Sequence, residues 1–204
     1  MKHGRLPWIE PSALEPEQRA LYERIAHGPR AAGPQAFALT DAAGRLEGPF
    51  NALLLAPAVG TAVAELGAAI RYGSGLPDRI REIAILELAV LRRSAFEWYA
   101  HERIGRQAGL DERDIAALRA GEDGAGFDER EALVRELVRS FVRTRDAEDE
   151  LLERAEALLG APAIAELIAL VGYYDLLALS LRVWRTPLPA GAEAPFDESV
   201  GYRE

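Results

Sequence analysis

EIAILELAVLRRSAFEWYAHERIGRQAGL, residues 82–110, is the stretch that decides the fold. Its apolar residues recur at three- and four-residue spacings, first Ile83, Ile85, Leu86, Leu88, Val90 and Leu91, then Phe96, Trp98, Tyr99 and Ile104, which is helical periodicity. The first helix is predicted over Pro77 to Arg92 and is apolar nearly all round, so it is expected to be central and buried. The second ends at Gly109, a residue suited to a left-handed cap. Ser94, Glu97 and His101 fall at spacings of three and four and share one face of this second helix, with Glu82 on the helix before it. Ser94-Ala-Phe-Glu97 also spells a capping box, which would fix the helix start and aim Glu97 and His101 from its first two turns. His101, set among aromatic residues, equally fits a core histidine. Glu87 is expected to form an ion pair at the helix edge, because a lone carboxylate is costly to bury.

Outward from this stretch the same periodicity runs from Glu17 to Trp184, and no sustained alternation of period two is present. An all-α protein is predicted. Helices are expected at Pro16–Ala26, Pro49–Leu55, Pro57–Tyr72, Asp111–Ala120, Asp128–Thr144, Asp149–Leu159 and Pro162–Trp184, punctuated by Gly28-Pro29, Pro57 and Gly73-Ser74-Gly75. Residues 1–46 form an N-terminal helix and loop, 47–120 a core, and 121–188 helices completing the same bundle. An irregular tail occupies 189–204. Gly121 to Gly126 is the clearest linker, and the region 31–47 and the tail after Thr186 are candidate lids.

The chain has 204 residues, 49% of them apolar, and a formal net charge of −9, enough for one good core. Its arginines are scattered along helical faces, which argues against nucleic acid as a partner. It contains no cysteine, which removes disulfides, thiolate metal sites and thiol nucleophiles together. The N-terminus lacks a signal-peptide core, and the longest apolar segment, 161–184, is interrupted by Glu166 and Asp175. These features read as a cytoplasmic protein, away from membranes, with one deeply buried helix. The chain has three histidines, and no duplicated Glu-x-x-His pair accompanies Glu82, Glu97 and His101, so no metal is expected.

The block Gly48-Pro-Phe-Asn-Ala-Leu-Leu-Leu-Ala-Pro57, the break before Leu76-Pro77, Glu82, Glu97-x-x-x-His101 and Ala108-Gly109-Leu110 together resemble the carboxymuconolactone decarboxylase family, within the alkylhydroperoxidase D-like superfamily. Glu166 to Tyr174 resembles the C-terminal helix of its longer members. The resemblance implies a helical bundle that is an obligate homo-oligomer, trimer or hexamer. The peroxidase branch carries a glutamate, a Cys-x-x-Cys pair and a histidine, and those positions match Glu82, Ser94, Glu97 and His101 here. With both cysteines replaced, no thiolate attacks an O–O bond and none resolves a sulfenic acid, so thiol peroxidase activity is expected to be absent.

The decarboxylase branch lacks the cysteine pair, and its resemblance implies a cofactor-independent lyase or isomerase in aromatic compound catabolism, acting on a small carboxylated lactone. Loss of CO2 leaves a delocalised anion, which calls for donors at the developing charge and an acid for protonation. His101, with an ordinary pKa near neutrality, is the candidate acid or base. Glu97 or Glu82 would orient it, or Glu82 would itself carry the proton. Ser94, Phe50, Asn51, Arg71, Tyr72 and Tyr174 are candidate substrate-binding residues, and Arg79, Arg81 and Arg182 are further candidate cations. The competing reading is a non-catalytic oligomeric protein that binds a small ligand or a partner in the same pocket.

Overall fold

The computed structural model describes residues 1–28, 31, 37–122 and 126–196. Parts of the expected 31–47 loop, the 121–126 linker and the tail after Thr186 lie outside the described residues. Nine α-helices are present among them: α1 (Pro16–Ala26), α2 (Phe50–Leu53), α3 (Pro57–Tyr72), α4 (Asp78–Arg92), α5 (Ala95–Gln107), α6 (Glu112–Ala120), α7 (Glu129–Arg143), α8 (Asp149–Leu159) and α9 (Ala161–Trp184). One departure from the all-helical expectation is a short antiparallel ribbon, β1 (Lys2–His3) against β2 (Leu6–Pro7), joined by Gly4-Arg5. Two residues a side are too few to show an alternating pattern.

Helix α4 is the hub. Every residue from Ile80 to Ala89 is buried, and the helix packs against α5, α6, α7 and α9. One face joins α7, α8 and α9 in the largest apolar cluster. The opposite face, through Ile83, Leu86 and Ala89, meets Trp98 of α5 and Ile115 and Leu118 of α6. A third cluster, built from α1, α2 and Leu46, closes the N-terminal end. Glu87 is not at a helix edge: it is 1% exposed and bonded to Arg135 at 2.7 Å and Arg139 at 2.5 Å, both on α7. All-round packing of α4 leaves it no edge on which to place a carboxylate.

Helix α9 is long and apolar enough to cross a membrane by length and composition alone. Its inner face packs on α3, α4, α7 and α8, but Ile168, Leu176, Leu179 and Val183 are exposed, so it is half buried, in contrast to the deep burial expected. Its two interrupting carboxylates are both used. Glu166 accepts from the Ser74 hydroxyl at 2.7 Å and from the Gly75 and Leu76 amides, holding the turn before α4. Asp175 pairs with Arg92 at 2.5 Å and Arg145 at 2.8 Å.

Candidate active site

Glu82, in the buried run of α4, and His101, one turn beyond Glu97 on α5, meet across the α4–α5 interface. His101 Nδ1 lies 2.7 Å from Glu82 Oε2, and both side chains are buried. Arg81 Nε stands 3.6 Å from the other oxygen of Glu82 and donates through its Nη2 to Asp78. Of the two carboxylates adjacent to the histidine in sequence or space, Glu82 is therefore the one that fixes the imidazole. The ring of Tyr174, from α9, stands edge-on to the imidazole with centroids 5.1 Å apart.

Glu97 has a different environment. It is 3% exposed and neither carboxyl oxygen has a hydrogen-bond partner of ordinary geometry. Burial pushes its pKa well above the usual carboxyl range; the nearby Ser94 hydroxyl opposes the shift and the charge of Asp175 adds to it. The capping box spelled by Ser94 and Glu97 does not form: Ser94 is the N-cap residue of α5, but its side chain accepts no amide. Closing a capping box turns the glutamate back towards the N-cap amide, whereas this one faces the interior. Burial likewise pushes the Tyr174 hydroxyl well above its usual range, with Glu82 reinforcing the shift.

Glu97, His101 and Tyr174 border a cavity of about 50 Å3, lined also by Phe37, Phe50, Phe96 and Arg71, while Glu82 lies behind the histidine and off the cavity wall. Gly48 lets the loop pass: at φ 60° it adopts a left-handed backbone, and a Cβ there would lie 2.5 Å from the Phe96 ring. The volume suits one or two water molecules, less than a lactone ring needs.

Of the candidate binding residues, Phe50, Arg71 and Tyr174 lie on this cavity, together with Glu97 and His101. Ser94 borders a separate outer groove, as does Arg182. Asn51 is wholly buried away from the cavity, where its side-chain amide donates to Pro7 O at 3.0 Å and its carbonyl accepts from Ile9 N at 3.2 Å. Its role in the structure is to tie the N-terminal segment to α2. Tyr72 is exposed at the end of α3. Arg79 is engaged by Glu131, Asp114 and the Gly109 carbonyl. Sequence reasoning missed Phe37, Leu39 and Phe96, and also Tyr173, Leu177 and Leu181. The last three recur with Tyr174 at helical spacing on α9, a detectable stripe; Phe37 and Leu39 sit in an aperiodic loop. Among the described residues no group of three or more His, Cys, Asp or Glu side chains is arranged to hold a metal.

Residues 57–140, which run from α3 into α7 and include Glu82, Glu97 and His101, match the carboxymuconolactone decarboxylase family. Over this segment the chain is similar to that family. The chain has no cysteine there or elsewhere. The fold agrees: a Ralstonia eutropha JMP134 structure described as an alkylhydroperoxidase AhpD core, from an uncharacterized peroxidase-related protein, superposes with a TM-score of 0.72 at 13% identity, covering 93% of this chain and 94% of that one. An Agrobacterium tumefaciens protein of unknown function, described as a candidate antioxidant defence protein AhpD, gives 0.63 at 20% identity, over 69% of this chain and 97% of that one. The helical bundle of these two structures is thus shared at very low identity. No curated protein matches the chain.

Proposed function

We propose that the inner cavity carries out cofactor-independent acid–base chemistry on a small carboxylated lactone or a related aromatic-degradation intermediate, as a carboxy-lyase of the 4-carboxymuconolactone decarboxylase type. One observation carries the reading: Glu97, buried with no hydrogen-bond partner of ordinary geometry and favoured in its acid form by that burial, faces the same cavity as a histidine already oriented by Glu82. A carboxylic acid so placed is a proton donor without a structural task.

In the reaction the C–CO2 bond breaks and its electron pair enters the conjugated lactone, placing negative charge on the ring carbonyl oxygen. With Nδ1–H donated to the Glu82 carboxylate, His101 in its doubly protonated form donates Nε2–H to that oxygen. Glu97 then delivers its proton to carbon, forming the new C–H bond, and is reprotonated from solvent. The balance is one proton taken up for each CO2 released. Arg71, the cation on the cavity wall, holds a second substrate carboxylate. A lactone ring requires the lining side chains to move apart, because the cavity of about 50 Å3 has room only for water. Neither Ser94 nor Glu97 supplies a thiolate, so thiol peroxidase turnover is not part of this proposal.

The same reading includes a homo-oligomer, trimer or hexamer, formed through exposed apolar residues such as Ile168 and Leu176 of α9 and Leu66 of its neighbour α3; sedimentation at micromolar concentration tests it. The catalytic test follows 4-carboxymuconolactone by ultraviolet absorbance, with CO2 measured. Wild type should consume the lactone, and a fold-verified Glu97→Gln should be slower by about 100-fold or more. A folded wild type that neither consumes nor binds the lactone refutes this substrate.

A further inference from the structure

Phe96 and Leu181 border the inner cavity on one side and an outer groove on the other. The groove encloses about 870 Å3, within the range of sites that take small organic ligands. In a chain of net charge −9, its described lining holds five arginines, Arg5, Arg92, Arg93, Arg182 and Arg185, and no Asp or Glu. Three separate parts of the fold supply them: the N-terminal ribbon, the end of α4 and the end of α9.

The fold builds this convergence. Gly4, at φ 65°, lets the ribbon's turn press onto the end of α9: a Cβ there would lie 2.2 Å from the Arg185 carbonyl oxygen. Arg5 then donates its amide to Trp184 O at 2.7 Å and its Nη1 to Val183 O at 3.0 Å, satisfying two carbonyls at the helix end and holding Arg5 beside Arg185. Arg93 and Arg185, the residues that close α4 and α9, both adopt left-handed backbone at φ 50°, a conformation that side chains with a Cβ seldom take. Arg92 is neutralised by Asp175. Arg5 is bonded to neutral carbonyls, and among the described residues no carboxylate pairs with Arg5 or with Arg185. The first turn of α5, from Ser94, lies on the same wall and adds the positive end of a 13-residue helix.

We propose that this groove binds a small organic polyanion, with its charged groups on Arg5 and Arg185 and its apolar body against Phe96 and Leu181. Guanidinium groups match carboxylate and phosphate oxygens in pairs, and the apolar wall suits a carbon skeleton. The acidic remainder of the surface repels an extended polyanion such as nucleic acid. The inference does not depend on lactone turnover in the inner cavity.

The test is calorimetric titration of the full chain at low salt with citrate, with inorganic phosphate and with neutral triethyl citrate, alongside amide NMR of Ser94 and Ala95. Saturable binding of either anion is expected, weakened about tenfold or more in an Arg5→Gln/Arg185→Gln variant, weakened by salt and absent for the triester. Tighter citrate points to a polycarboxylate and tighter phosphate to a phosphate ester, and either supports the groove. The single variant Arg185→Gln, at an exposed position, keeps the test open if the double variant folds poorly. Three results would overturn the proposal: no saturable binding of either anion to folded wild type, unchanged affinity with unmoved Ser94 and Ala95 amides, or tighter binding of a single-stranded oligonucleotide than of both anions.

Discussion

Replacing Glu97 by glutamine should change how stability depends on pH, and the slope can be worked out in advance. Burial raises the Glu97 pKa in the folded chain well above its ordinary value, while the unfolded chain titrates it near the ordinary value of about 4.3. Between those two values the folded state holds a proton that the unfolded state has lost. Stability is therefore complete below the unfolded pKa and falls as pH rises towards the folded one, by about 1.4 kcal/mol per pH unit. Glutamine cannot ionise, so the variant lacks this slope. Its amide leaves buried donors unpaired, at a cost of about 1–3 kcal/mol, but that cost is the same at every pH. The difference between wild type and Glu97→Gln should shift in favour of the variant by about 1.4 kcal/mol for each pH unit between the unfolded and the folded pKa. Urea denaturation of both proteins from pH 5 to 8, at fixed protein concentration, measures it, because all other titrating groups cancel in the difference. The pH at which the difference levels off is the folded pKa. A difference that stays flat across this range would mean that Glu97 ionises like a solvated carboxyl, and would remove the acid from the proposed chemistry.

His101→Ala leaves Glu82 buried with Arg81 Nε 3.6 Å away and no histidine, and should lower stability by about 3 kcal/mol while abolishing lactone turnover; thermal melting and the ultraviolet assay read the two effects separately. Glu87→Ala removes the buried carboxylate that Arg135 and Arg139 share and should cost about 3–5 kcal/mol, with an added Arg135→Met recovering part of it in urea denaturation. Asn51→Ala should cost about 1–3 kcal/mol for the buried groups it leaves unpaired; its distinguishing sign is faster proteolysis within residues 1–10, since the bonds lost are those to Pro7 and Ile9.

Helices were readable from the sequence because their physics is local. Asp111 with Asp114 and Asp128 with Glu131 close capping boxes as their spelling suggests. Ser94 and Glu97 have the same spelling and do not, because tertiary burial turns Glu97 away from the backbone it would cap. Of the helical stripe Ser94, Glu97 and His101, the last two meet on one cavity and Ser94 lies on the outer groove, while Glu82, nineteen residues before the histidine, is its hydrogen-bond partner, and a contact between two helices has no periodic signature. The cavity wall at Phe37 and Leu39 comes from a loop without any repeat. Composition likewise could not separate a helix buried on all sides, α4, from one apolar all round yet half exposed, α9.

The encirclement of α4 bears on how such a protein can change. Ten consecutive positions, Ile80 to Ala89, face other helices, so nearly any substitution there is also a packing defect, and core truncations commonly cost about 2–5 kcal/mol. Glu82 sits within that run and inherits its intolerance. Glu97 carries no hydrogen bond that the fold relies on, and the cavity-facing positions of α5 and α9 border empty space. Side-chain variation therefore has room on α5 and α9, while α4 keeps the histidine's partner in place, so the cavity wall can change without rebuilding the centre of the fold.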